Sequence, residues 1–253
     1  MEEFVPCGEC TDGYIFEDTP EGVVVKKCQC LIDWLDQKKM AIAFQKAGLS
    51  ESDLDYSIDQ YIGKDRQKNI PKIKQYVNEF QKRYRHINLY FWSYENSTQK
   101  TTVAKWMLAE LARKGYRTHF VLFNDLVVLL QQYNFDQSRE VEYQRAMEAD
   151  LLVVDDAFDT NKNTIYKSGF QYSFIDTFFR KRLEIRRGAT VFTSNVPVED
   201  IEKSYTPSIQ ALIDRNIAEP FFFEDAVENG RAVGGFRGKD LFPEIDNVEG
   251  VED

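Results

Sequence analysis

The apolar run Leu89-Tyr90-Phe91-Trp92 leads into Ser93-Tyr94-Glu95-Asn96-Ser97-Thr98-Gln99, and then into Lys100-Thr101-Thr102 and a helix-like stretch. A strand, a polar turn and a helix in that order have the layout of a nucleotide-binding P-loop. Against the pattern G-x-x-x-x-G-K-[ST], Lys100 and Thr101 match, while Tyr94 and Gln99 stand where glycines are expected. Glycine serves there because the backbone approaches the phosphates closely and adopts positive φ at little cost. Asn tolerates that geometry next best and Ser is small and polar, so Asn96, Ser97, Thr98 and Gln99 still form a loop able to wrap an anion at a helix N-terminus. On this reading Lys100 meets the β- and γ-phosphates of ATP and Thr101 holds Mg2+. The competing reading is a capped helix with an exposed lysine.

The rest of the chain after Pro71 alternates strand-like and helix-like stretches, the pattern of an α/β domain with a parallel sheet. Strands are expected at Asn88 to Trp92, Thr118 to Phe123, Leu151 to Val154, Ala189 to Thr193 and Phe221 to Glu224. Helices are expected near Thr101 to Lys114, Asn124 to Tyr133, Phe170 to Arg187 and Ser208 to Arg215. Pro71 fits the first turn of a further helix carrying Ile73, Tyr76, Val77 and Phe80. Residues 50–69 are rich in Asp, Ser, Lys and Gln and read as a linker.

All four cysteines lie near the start of the chain, as Cys7-Gly8-Glu9-Cys10 and Cys28-Gln29-Cys30. Two close thiol pairs supply four thiolates to one tetrahedral Zn2+, and a site with four protein ligands is structural because it leaves no open position. Four free thiols or a redox pair are the alternative, which does not explain the pairing. From Leu31 to about Gly48 the apolar residues recur loosely as in a helix.

Two further stretches bear on the loop. Leu151-Leu152-Val153-Val154-Asp155-Asp156 is a buried-strand pattern ending in two carboxylates, as a Walker B strand requires; Asp155 would hold magnesium and Asp156 would polarise the attacking water. Val191-Phe192-Thr193-Ser194-Asn195 ends a later strand with polar side chains, at the edge where ligands of open α/β sheets bind. Asn195 is placed to orient water near the γ-phosphate, or else begins the turn before Pro197.

The 43% hydrophobic content suffices for a buried core. Neither a run of about 18 apolar residues nor a basic-then-apolar leader is present, so no membrane span or signal peptide is expected and the expected location is cytoplasmic. A net charge of -10 argues against indiscriminate coating of nucleic acid. The cluster Arg180, Lys181, Arg182, Arg186 and Arg187 offers a local phosphate track, although such a run on a helix is more often a solvated face.

Taken in order, the cysteine set, altered Walker A loop, Asp-Asp strand, Thr-Ser-Asn and late arginines resemble the DnaC/DnaI-type bacterial and phage helicase loaders, which are AAA+ ATPases. The resemblance implies an α/β chain: an AAA+ P-loop parallel sheet with a small N-terminal zinc-binding domain. Residues 1–49 would form the zinc lobe that binds the replicative hexameric helicase, 50–69 the linker, 70–243 the ATPase domain and 244–253 an acidic tail. By the same resemblance Asn195 matches sensor 1, Arg215 the arginine finger given to a neighbouring subunit, and Arg237 the sensor 2 arginine, with Arg231 nearby. It further implies ATP, Mg2+ and Zn2+ as cofactors, contact with single-stranded DNA, no membrane, and a homo-oligomer when bound to helicase. Tyr94 and Gln99 depart from the family's loop, which implies weakened nucleotide binding. Two other readings compete: a nucleotide-independent adaptor with a relic loop, and a transposition-helper ATPase, which the cysteine lobe disfavours.

Overall fold

The computed structural model describes residues 3–159, 169–185 and 188–224, with the short pairs 227–228 and 231–232. It opens with a hairpin of β1 (Tyr14–Thr19) and β2 (Gly22–Lys27), paired antiparallel with Phe16 opposite Val25. The long helix α1 (Gln29–Ala47) follows and stops at Gly48, whose left-handed φ of 76° lets its N–H bond back to the carbonyl of Gln45. At its far end Phe44 is buried with Ala109 and Ala112, so the helix spans from the cysteines to the main body of the chain.

Residues 50–69, read from sequence as a linker, carry structure of their own. Helix α2 (Glu51–Leu54) starts with reciprocal bonds between Ser50 and Asp53, and Asp53 also receives Lys105 at 3.0 Å. Ile58 and Tyr61 are buried. Helix α3 (Arg66–Asn78) begins before Pro71 rather than at it, and Pro71 lies inside the helix. Proline there forfeits one backbone bond. The buried side chains Ile70, Ile73, Tyr76 and Val77 hold the helix in place despite that loss.

The main body comprises β3 (Asn88–Trp92), α4 (Lys100–Arg113), β4 (Thr118–Leu122), α5 (Phe123–Phe135), α6 (Glu140–Glu148), β5 (Leu151–Asp155), α7 (Gly169–Phe179), β6 (Ala189–Ser194), α8 (Pro207–Asn216) and β7 (Ile217–Phe222). Its sheet has the order β4-β5-β6-β3-β7, every pairing parallel. The apolar strands are continuous in sequence because both faces are covered. Successive residues of β5 enter different cores: Leu152 and Val154 join Tyr90 and Phe192 on one face, while Leu151 and Val153 join Phe91 and Val191 on the other.

Within this main body, three elements differ from the sequence expectations. The last strand of the five-stranded sheet lies at Ile217–Phe222, earlier than Phe221 to Glu224, and contains Pro220. An edge strand tolerates proline, and the register with β3 shifts there. Helix α6 has no counterpart in the sequence reading, although Tyr143, Ala146 and Met147 mark its buried face. The helix expected from Phe170 to Arg187 is regular only to Phe179 and continues as a wider π turn over Arg180–Glu184.

That turn also corrects the reading of the basic cluster. Arg182 is completely buried and neither tracks phosphates nor meets solvent. Its guanidinium donates to the carbonyls of Ala146, Met147, Ala149 and Ala189 and to Thr190 Oγ1, at 2.7–3.0 Å. Burial pulls its pKa down to about 9, which leaves it protonated at neutral pH. Arg180 is tied to Asp176 at 2.6 Å, and Arg186 and Arg187 lie outside the described residues.

Candidate nucleotide and metal sites

Because β6 lies between β3 and β5, the C-terminal ends of these strands converge. Register pairs Trp92 with Ser194 and Val154 with Phe192, so the loop after β3, the carboxylates after β5 and the polar end of β6 form one edge. Ligands of open α/β sheets bind at such an edge.

Within the loop, Ser97 and Gln99 hold left-handed backbone, with φ of 65° and 61°. A side-chain-bearing residue is disfavoured there by about 1–2 kcal/mol. Gln99 therefore takes the conformation for which the motif reserves its second glycine, and its Oε1 accepts the Ile62 N–H at 3.2 Å. Tyr94 is not among the positive-φ residues and is 69% exposed, so the first motif position makes no such demand.

Lys100 is only 7% exposed, unlike the solvent-facing lysine of the competing reading. Its Nζ donates to the Glu95 carbonyl at 3.0 Å and to Thr98 Oγ1 at 2.8 Å, which folds the ammonium into the loop. Thr101 Oγ1 donates to Asp155 Oδ1 at 2.7 Å. Thr193 Oγ1 donates to the same oxygen, and the Asp156 N–H donates to Thr193 Oγ1 at 3.1 Å. Thr193 thus joins the two strand ends.

Asp155 is buried, and burial raises its pKa; the Thr101 and Thr193 hydroxyls oppose that shift, while neighbouring Asp156 adds to it. A dication at this point would favour the ionised form and reverse the balance. The donor set fits: a hydroxyl at the start of the helix and a carboxylate at the end of β5 are the two protein groups that share magnesium in P-loop proteins.

Asn195 Nδ2 donates to Asn96 Oδ1 at 3.0 Å and to Asp159 Oδ2 at 3.3 Å, which links the end of β6 to the loop. The structure therefore brings together Asn96, Thr98, Lys100, Thr101, Asp155 and Asn195, with Asp156 alongside. Arg215 lies apart from this bonded set, at the end of α8, where it pairs with Glu184 at 3.1 Å. Arg237 lies outside the described residues. Sequence reasoning did not assign Thr193 or Asp159 a site role. The polar pair Thr193-Ser194 at the end of β6 was the available signal for the first, and Asp159 had none.

The four cysteine sulfurs lie within 4.8 Å of one another, contributed by the turn at Cys7 to Cys10 and by the entry to α1. Cys7 and Cys10 are 3.8 Å apart, Cys7 and Cys28 3.7 Å, and Cys10 and Cys30 3.5 Å. Sulfurs at about 2.3 Å from one tetrahedral zinc stand roughly 3.8 Å apart, so the residues fit the ion. The tight C-x-C spacing works because Cys28 is extended, with ψ of 150°, while Cys30 lies in the first helical turn. Gly13 is required beside them: a Cβ there would come within 2.7 Å of Leu31 Cβ.

No family model and no curated protein matches the chain. Solved structures do match. The DnaC helicase loader is 18% identical with a TM-score of 0.55, over 69% of this chain and 100% of that one. DnaI is 16% identical with a TM-score of 0.55, over 72% of this chain and 94% of that one. Replication initiator DnaA bound to AMPPCP and single-stranded DNA is 13% identical with a TM-score of 0.53, over 67% of this chain; the match spans 50% of that chain. The molecule thus has an α/β fold with a parallel sheet, similar to the folds of the DnaC and DnaI structures. The likeness to DnaC and DnaI read from the motifs is found again in the fold.

Proposed function

We propose that the chain is a helicase loader of the DnaC/DnaI kind, which delivers a replicative hexameric helicase to single-stranded DNA in the cytoplasm and couples delivery to ATP. The observation that carries this reading is the 2.7 Å bond from Thr101 to Asp155, which joins the loop helix to the acidic strand end. Asn96, Ser97, Thr98 and Gln99 wrap the phosphates, Lys100 neutralises them, and Thr101 and Asp155 hold Mg2+. Bound magnesium supplies charge neutralisation on the phosphates. Asp156 polarises the attacking water and Asn195 orients it, while Arg215 reaches a neighbouring subunit of a homo-oligomer and Arg237 completes the site as sensor 2.

Residues 1–49 form the lobe that holds Zn2+ on Cys7, Cys10, Cys28 and Cys30 and grips the helicase. Its hairpin supports that role: Phe16, Val23 and Val25 are each more than half exposed and alternate on one face. Residues 50–69 connect it to the ATPase domain at 70–243, and 244–253 form the acidic tail. Fold relatives that load helicase or bind AMPPCP and single-stranded DNA support the same reading. No described helix is long and apolar enough to cross a membrane.

Titrating labelled ATP against the wild type and Lys100→Ala tests the nucleotide half. Binding by wild type and at least about tenfold weaker binding by the variant are expected, since a phosphate-bonded charge contributes on the order of 1.5–3 kcal/mol. Equal, negligible binding by both would leave the adaptor reading in its place.

A further inference from the structure

The turn after β5 is organised around a carboxylate for which the scheme above has no role. Asp156 and Phe158 both hold left-handed backbone, with φ of 52° and 64°, a conformation that persists only where the surroundings enforce it. Two devices enforce it here. Phe158 is fully buried, its ring 5.1 Å from Phe123, 5.3 Å from Tyr205 and 5.7 Å from Phe192. The turn backbone is also stitched to β6: the Ala157 N–H donates to the Thr193 carbonyl at 2.8 Å, and Ser194 Oγ donates to the Ala157 carbonyl at 2.6 Å.

The aromatic plug and the stitching deliver Asp159, 7% exposed, to Asn195. A carboxylate only accepts hydrogen bonds, so it selects the NH2 end of the Asn195 amide; a flipped amide would set oxygen against oxygen. The same NH2 group then meets Asn96 in the loop.

We propose that Asp159 is a positioning residue: by holding the Asn195 NH2 group it keeps a hydrogen-bond donor facing the phosphate loop. It acts through Asn195, and the proposal rests on the nucleotide reading of this site. An isosteric Asp159→Asn change keeps the shape of the turn but presents both a donor and an acceptor, so it no longer selects one amide orientation.

In the full chain, Asp159→Asn is expected to bind labelled ATP within about twofold of wild type while kcat falls about tenfold to a hundredfold, the cost of a misplaced group rather than a lost site. Asn195→Ala is expected to lose as much, and the double variant no more, because both act on one donor. A second readout needs no turnover: the side-chain amide signal of Asn195 in a nitrogen-15 spectrum, assigned by its disappearance in Asn195→Ala, is expected to move in Asp159→Asn. An unmoved amide signal, additive losses, or wild-type turnover in Asp159→Asn would each overturn this proposal alone. A wild-type chain that binds no labelled ATP would overturn the nucleotide reading and this proposal with it.

Discussion

On the proposed nucleotide reading, Asp155 sets function against stability. Its carboxylate is 4% exposed, and its pKa is raised by burial despite two hydroxyl donors. A folded-state pKa above the 3.8 of a free carboxyl means that the folded chain holds the proton more tightly than the unfolded one. Stability therefore falls as pH rises from the unfolded value through the raised pKa, and the full cost is present above it. Asp155→Asn keeps an acceptor for Thr101 and removes that cost. The expected outcome at pH 7 is a thermal midpoint a few degrees above wild type, a difference that shrinks towards pH 4, with loss of Mg2+-dependent ATP binding. A pH series of thermal melts on both proteins checks the sign. Gln99 shows the same tension in the backbone: it keeps the loop's glycine conformation without glycine and gains a bond to Ile62.

Among the elements, α6 depends on a side chain from outside itself. A helix leaves its last carbonyls unpaired, and the buried end of α6 has those of Ala146 and Met147 bonded by Arg182. The same guanidinium holds the Ala149 carbonyl and the start of β6 through Ala189 and Thr190. Arg182→Met fills similar space but supplies no donors. Several buried carbonyls at roughly 1–3 kcal/mol each suggest a loss of about 3 kcal/mol, a fall of about 6–12 °C in the thermal midpoint. Circular dichroism melts would register it. The sequence did hold the signal: Ile175, Phe178, Phe179, Arg182 and Leu183 follow helical spacing, so Arg182 belongs to the buried face. Reading the cluster by charge alone hid that. α6 was missed for a related reason, since its three buried residues sit among charged ones and no capping signal marks its start.

For the molecule as a whole, the hairpin and the sheet body rest on different forces. Almost every residue of β1 and β2 is exposed, and a two-stranded hairpin is at best marginally stable by itself. On the proposed zinc reading the metal holds the cysteine turn against α1, whereas Phe44 and the two cores hold everything beyond it. Chelation is expected to raise hydrogen exchange sharply across residues 14–27 while β3 and β5 stay protected. Mass spectrometry of the exchanged peptides would show it, and uniform loss of protection would contradict the division.

The sequence by itself determined the local units: strands buried on both faces, the helix after the loop, the paired cysteines and the acidic strand end. These follow from periodicity and spacing within a few residues, which the chain carries in plain order. Tertiary structure alone decided what those units do to one another. The strand order placed β6 between β3 and β5, so Thr101 reached Asp155 and Asn195 reached Asn96 across 54 and 99 positions. It also drew Ile58 and Tyr61 of a polar stretch into the core and supplied the distant carbonyls of Ala146, Met147 and Ala149 that Arg182 bonds. Such contacts are set by packing between distant segments, and no local pattern encodes them.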